Sequence, residues 1–187
     1  MLYLLGGAAR SGKTIIAQRL LYRELIPYFC VGYFVSGLQT GAPELRIVGE
    51  SPNRLRAEKL WPVLAGMLQN IVEVEPHYLV EGDALLPRGV AELRDRYQSQ
   101  VRACFLGCPH LSAEEKARHI RLHPSGVNDW IQHHTDEYVF DLATEMVDFS
   151  RYLEAECQTH RIPFFDTSHS FPERVAQAYR YLREGEW

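Results

Sequence analysis

Apolar residues in this chain fall into short continuous runs, separated by longer stretches in which they recur every three or four positions. Leu2 to Leu5 is the first run. A short apolar run without alternation predicts a strand buried on both faces of a parallel sheet. A helix should follow, with Ile15, Ile16, Leu20 and Leu21 on one side. Residues 30–36 (CVGYFVS) read as a second strand. Gly37, Gly41, Pro43, Gly49 and Pro52 mark 37–53 as loop. Residues 54–73 carry Leu60, Leu64, Met67, Leu68 and Ile71 at helical spacing, and 77–81 (HYLVE) reads as a third strand. A short helix over 88–97 and a fourth strand over 101–106 come next. The segment 110–135 is polar and broken at Pro124-Ser125-Gly126, which predicts two short helices and a turn. Residues 136–160 form a long helix with Val139, Leu142, Ala143, Met146 and Leu153 inward. Residues 162–165 make a fifth strand, and 172–184 a last helix with Val175, Tyr179 and Leu182 inward. Strands alternating with helices predict an α/β protein, a three-layer αβα sandwich on a five-stranded parallel sheet. With no repeat or long linker, 1–187 reads as one domain.

The first strand runs into Gly7-Ala8-Ala9-Arg10-Ser11-Gly12-Lys13-Thr14. This is the G-x-x-x-x-G-K-[ST] pattern of a phosphate-binding P-loop, with a strand before it and a helix after it. Gly7 and Gly12 allow backbone angles that other residues resist. Successive N–H groups can then turn inward as an anion-binding nest, and the following helix adds the positive end of its dipole. Ala8, Ala9 and Ser11 are small enough to let a nucleotide lie close. Lys13 is the candidate for the β- and γ-phosphates and Thr14 for Mg²⁺, with ATP as the expected nucleotide.

Charge and cysteine content then remove several classes. Twenty Lys and Arg against 24 Asp and Glu leave a net charge of −4. That gives no general electrostatic reason to bind nucleic acid or an anionic membrane. Cys30, Cys104, Cys108 and Cys157 are too few and too scattered for a disulfide scaffold. Cys104 and Cys108 lie near His110, His119 and His123 but lack the tight pairing of a zinc site, so reduced thiols are expected. No apolar run is long enough to cross a membrane. The first residues lack a basic leader and enter the P-loop at once, so the expected location is the cytoplasm. A guanine-specific Asn-Lys-x-Asp string is absent from the sequence. The nearest approach to a Walker B strand, Tyr78 to Asp83, fits that pattern poorly.

In its P-loop and its order of elements the chain resembles the small P-loop kinases, the nucleoside monophosphate kinases and their relatives acting on sugars, sugar acids and antibiotics. The resemblance implies a P-loop NTPase fold and ATP-dependent transfer of a phosphoryl group to a small molecule. A nucleotide-binding NTPase module without such an acceptor is the alternative. The third strand ends in Val80-Glu81-Gly82-Asp83, with Pro87-Arg88 just beyond. By similarity Glu81 or Asp83 would stand beside Lys13 and Mg²⁺, completing the metal shell or orienting the acceptor, and Arg88 would face an anionic group on the acceptor. Using Glu here, with two extra residues before Pro-Arg, departs from adenylate kinases. Strand 30–36 has no acid, unlike shikimate-kinase-like relatives, which leaves Asp83 as the candidate base. Residues 110–135 occupy the place of the family's small helical lid, whose arginines close over the transferring group. Arg118 and Arg121 are the candidates, on one helix face. Arg54 and Arg56 begin a helix beside the expected acceptor cleft, where they either hold an anionic acceptor or are simply exposed. Trp61 and Trp130 either line that cleft or pack in the core. The loop Asp166-Thr167-Ser168 would border the adenine.

Overall fold

The computed structural model describes residues 1–45, 53–126 and 129–185. Five strands form one sheet: β1 (Leu2–Gly7), β2 (Tyr28–Cys30), β3 (Tyr78–Gly82), β4 (Val101–Gly107) and β5 (Phe164–Asp166). Their order is β2-β3-β1-β4-β5 and every pairing is parallel. The helices are α1 (Lys13–Glu24), α2 (Val31–Gly41), α3 (Asn53–Val74), α4 (Pro87–Tyr97), α5 (Ala113–Leu122), α6 (Asp136–His160) and α7 (Phe171–Glu184). The α/β architecture is therefore the expected five-stranded parallel sheet between helical layers.

Successive residues of a strand point to opposite faces, and β1 divides its side chains accordingly. Leu2 and Leu4 join a core with residues of α2, α3, α4 and α6. Tyr3 and Leu5 join a second core with residues of α1 and α7. Both faces are covered, so the central strand is apolar throughout, the condition that made it visible as a run. A smaller cluster of Ile120, Ile131, Val139, Ala143 and Met146 lies between α5, α6 and the 3-10 turn Trp130–His133. The ends of these elements are explained by local chemistry. Ser112 and Glu115 cap α5 reciprocally, each side chain accepting from the other's backbone N–H. The Thr135 hydroxyl caps α6.

The second strand is shorter than expected and lies earlier. Only Tyr28–Cys30 is strand, and 31–41 is helix. Val31 and Val35 are four apart and buried, while Phe34 and Leu38 pack beside them. The run therefore buries one helical stripe, and this packing outweighs the strand preference of its β-branched and aromatic residues. Of the expected loop over 37–53, residues 37–41 end α2 and Pro43–Leu45 form a 3-10 turn. Residues 46–52 lie outside the described residues.

Candidate active site

Ligand sites in open parallel sheets lie beyond the carboxyl ends of the strands. Here β1 ends between β3 and β4, with Gly6 level with Gly82 and Gly7 level with Leu106. The P-loop leaves this point with positive φ at Gly7 (144°), Arg10 (56°) and Gly12 (103°). Gly7 has a second constraint: a Cβ there would stand 2.2 Å from the Leu106 carbonyl oxygen. Ala8 N–H donates to that same oxygen at 3.1 Å, which stitches the loop to β4. Lys13 is buried at the start of α1, and its Nζ donates to the carbonyls of Gly7 (3.0 Å) and Ala8 (2.7 Å). Ser11 Oγ is buried and has no hydrogen-bond partner among the described residues. An orphaned buried hydroxyl inside a loop of this shape is a donor suited to an anion.

Thr14 stands at the mouth, its Oγ1 donating to Glu81 Oε1 at 3.2 Å. Glu81 is buried at the end of β3, and Cys30 is its register partner on β2. Burial, then the Glu81 charge beside it, raises the Cys30 thiol pKa and leaves it a poor nucleophile. One hydroxyl and one carboxylate oxygen this close are hard donors, which fits them to Mg²⁺. Among the described residues no three His, Cys, Asp or Glu gather into a metal-holding group. Asp83, two residues beyond Glu81, pairs with Arg56 Nη2 at 3.1 Å.

The remaining arginines are spread apart. Arg54 lies over the Tyr152 ring at 4.8 Å and donates to Glu58 at 2.9 Å, so it faces α6. Arg88 is 78% exposed and pairs with Glu92 at 3.5 Å. Arg118 is exposed on α5. Arg121 binds Asp136 Oδ1 (2.7 Å) and the carbonyls of Ile131, Gln132 and His134 (3.3, 3.2 and 2.7 Å). It fastens α5 to the segment leading into α6. Trp61 covers Gly89 of α4, where a Cβ would lie 2.4 Å from the indole ring. The Trp130 side chain lies outside the described residues. Beyond β5, Ser168 Oγ accepts from His110 N–H at 3.0 Å and Thr167 Oγ1 donates to Gly107 O at 2.9 Å, tying the loop of 166–168 to the end of β4.

The α5 residue that does reach the P-loop is Lys116, 5% exposed, with its Nζ donating to Arg10 O at 3.0 Å. Burial lowers its pKa. The Cys108 thiol beside it offsets part of that shift, and the charges of Lys13 and Arg10 add to it. Sequence reasoning missed this lysine, although a signal was present. Lys116 and Ile120 are four apart on the buried side of α5. Arg118 lies two residues on, about 200° around the helix. A second missed contact is the ion pair between Arg10 of the P-loop and the nearly fully buried Asp129.

No family model matches the chain, and no curated protein does. Its structure is similar to a shikimate kinase from Bacteroides thetaiotaomicron (TM-score 0.58, 15% identity, 98% of each chain covered). It is also similar to a gluconokinase from Sinorhizobium meliloti 1021 (TM-score 0.59, 16% identity, 97% of this chain and 90% of that one). A third similar structure is the Bacillus subtilis protein YorR in complex with phosphorylated GDP (TM-score 0.54, 13% identity, 98% and 96% covered). The fold is that of the small P-loop kinases. At these identities the likeness speaks for the fold alone, and activity has to be argued from the site.

Proposed function

We propose that the protein is an ATP-dependent phosphotransferase that moves the γ-phosphoryl group to a small-molecule acceptor. The observation that carries this reading is the P-loop itself. Three positive-φ positions, an orphaned buried Ser11 hydroxyl and a buried Lys13 meet at the carboxyl edge of a parallel sheet.

Residues 7–14 bind the phosphates through loop N–H groups, the α1 terminus and Lys13, which exchanges the carbonyls of Gly7 and Ala8 for phosphate oxygens. Mg²⁺ would be held by Thr14 and Glu81, and when bound it neutralises charge on the phosphoryl oxygens. Asp83 orients the acceptor hydroxyl and accepts its proton, with Arg56 holding the carboxylate in place. A strong base is not needed, because phosphoryl transfer is mostly positioning and charge stabilisation. In this reading Arg54 and Arg88 serve the acceptor, and an anionic acceptor group would have to draw Arg54 from Glu58 and the Tyr152 ring and Arg88 from Glu92. Residues 110–135 act as the lid, with Lys116 supplying positive charge to the transferring group. Arg118 and Arg121 sit round the helix from Lys116 and reach that group only if α5 turns as the lid closes. The acceptor is a small molecule rather than nucleic acid or a membrane, and the cytoplasm is the proposed location. Among the described residues no helix is long and apolar enough to cross a membrane.

The test is γ-phosphate transfer from ATP to nucleosides, nucleotides, sugars, sugar acids and phenicol- or aminoglycoside-type antibiotics, alongside acceptor-free hydrolysis. Acceptor-dependent turnover is expected. Hydrolysis indifferent to every acceptor would favour the NTPase module instead. Lys13→Ala should keep less than about a tenth of the turnover, since one such contact is worth several kcal/mol in the transition state. Its thermal unfolding should stay close to wild type.

A further inference from the structure

Arg10 is the one non-glycine residue of the P-loop with positive φ, a conformation that side chains disfavour. It lies midway between Gly7 and Gly12, so its backbone angles decide where the neighbouring loop N–H groups point. Three contacts hold it, all from the segment between β4 and α6. Lys116 Nζ donates to its carbonyl oxygen at 3.0 Å. Its own Nη1 donates to His123 O at 3.2 Å, and its Nη2 pairs with Asp129 Oδ1.

Asp129 is not a loose surface partner. Its side chain is 2% exposed. Its oxygens also accept from Ser125 N–H (3.0 Å), Ile131 N–H (3.3 Å) and the Gln132 amide (3.2 Å). A carboxylate fixed by three donors of its own segment and aimed at a fourth, 119 residues away in sequence, is a preorganised clamp. It draws the guanidinium towards His123 and Asp129.

We propose that Asp129 is a positioning residue for the nucleotide site, holding the centre of the P-loop in its anion-binding shape through the ion pair with Arg10. The inference rests on the reading of this loop as a nucleotide site. Without the clamp, Arg10 relaxes towards ordinary negative φ, and binding then has to restore the loop before it can use it. Affinity for MgATP falls, while the chemistry of the bound complex changes little.

Calorimetric titration of MgATP into the intact protein tests this without an acceptor. Asp129→Ala and Arg10→Gln should each raise Kd about tenfold. Arg10→Gln cuts the pair from the P-loop side and keeps the donors that Asp129 takes from Ser125, Ile131 and Gln132, and cooperative thermal unfolding of both single variants shows that a lost fold does not account for the effect. Glycine takes a positive φ freely. The double variant Arg10→Gly, Asp129→Ala should therefore recover at least about a third of the affinity lost in Asp129→Ala. Where an acceptor is known, KM for ATP should rise in Asp129→Ala with kcat falling less than about twofold. An unchanged Kd in either single variant, or no recovery in the double variant, overturns the proposal. A wild-type protein that binds no MgATP overturns the nucleotide reading as well, which separates the two failures.

Discussion

Lys13 and Lys116 each hold a buried ammonium against carbonyl oxygens of one short loop. These carbonyls accept from the ammonium groups but leave their charge uncompensated, so the loop favours an anion over water. Among the described residues neither Lys13 nor Lys116 has a salt bridge, and Asp129 is already committed to Arg10. Burial alone would raise the Asp129 carboxyl, but the Arg10 hydrogen bond, the Ser125 N–H and the Gln132 amide overcome it and hold the pKa at about 2. The folded value lies below the unfolded one, so Asp129 contributes stability that is complete above about pH 4 and is lost as pH falls towards 2. Acid unfolding followed by circular dichroism should therefore differ between wild type and Asp129→Asn. The variant is less stable at pH 6, and the gap narrows between pH 4 and 2. A gap independent of pH would mean that the charge of Asp129 does not stabilise the fold. Lys13 and Thr14 were legible in the sequence because the P-loop is a local motif whose spacing encodes its backbone. Asp129 and Lys116 were not, because their partner lies more than a hundred residues away and neither belongs to a local pattern.

At the scale of elements, legibility followed local periodicity. The buried central strands and the long helices α3 and α6 stood out as runs and stripes. The edge strand β2 did not. It has only three half-buried residues and passes directly into a helix whose own apolar positions resemble a strand when read in sequence. The helix α5 was found and its arginines drew attention, while Lys116 on its buried side did not, since arginines are conspicuous and a lone buried lysine is not. Its geometry yields two opposed expectations. Lys116→Met keeps the buried stem and removes the charge. It should lower kcat by about a hundredfold if Lys116 meets the transferring group. Arg118→Ala should change stability by less than about 0.5 kcal/mol, as an exposed position, whereas Arg121→Ala should cost about 1–3 kcal/mol because it abandons several carbonyls and Asp136. The pH profile gives an independent check. Desolvation lowers the Lys116 pKa, so the alkaline fall in kcat/KM, which reports the free enzyme, should begin below the ordinary lysine range. Lys116→Arg should move that limb upward. If Lys116→Met retains wild-type kcat while the double variant Arg118→Ala, Arg121→Ala loses it, the arginines are the lid residues and α5 must turn on closure.

For the molecule as a whole, the sheet order puts β1 at the centre and brings the ends of β3 and β4 to either side of the P-loop. The loop is anchored to a helix, to two strands and to residues beyond β4: α1 extends it, β4 accepts from Ala8, β3 supplies Glu81, and Lys116 and Asp129 reach it from beyond β4. A ligand seated there contacts groups that unfolding would disperse, so binding must stabilise the native state by mass action. At a free concentration of MgATP one hundred times Kd the gain is about 2.7 kcal/mol. For a chain of this size that corresponds to a rise in Tm of about 5–11 °C. Lys13→Ala should lose most of the rise. In Thr14→Ala the rise should persist with ATP alone but respond less to added Mg²⁺, since the Thr14 hydroxyl is the proposed metal contact. Differential scanning calorimetry with ATP, with ATP and Mg²⁺, and with neither separates these contributions before any acceptor is known. A wild-type Tm indifferent to MgATP at millimolar concentration would remove nucleotide binding from the account and leave the P-loop geometry without a ligand. A rise that Thr14→Ala leaves equally sensitive to Mg²⁺ would instead mean that the metal is held by other groups, with Glu81 the first to replace by Gln.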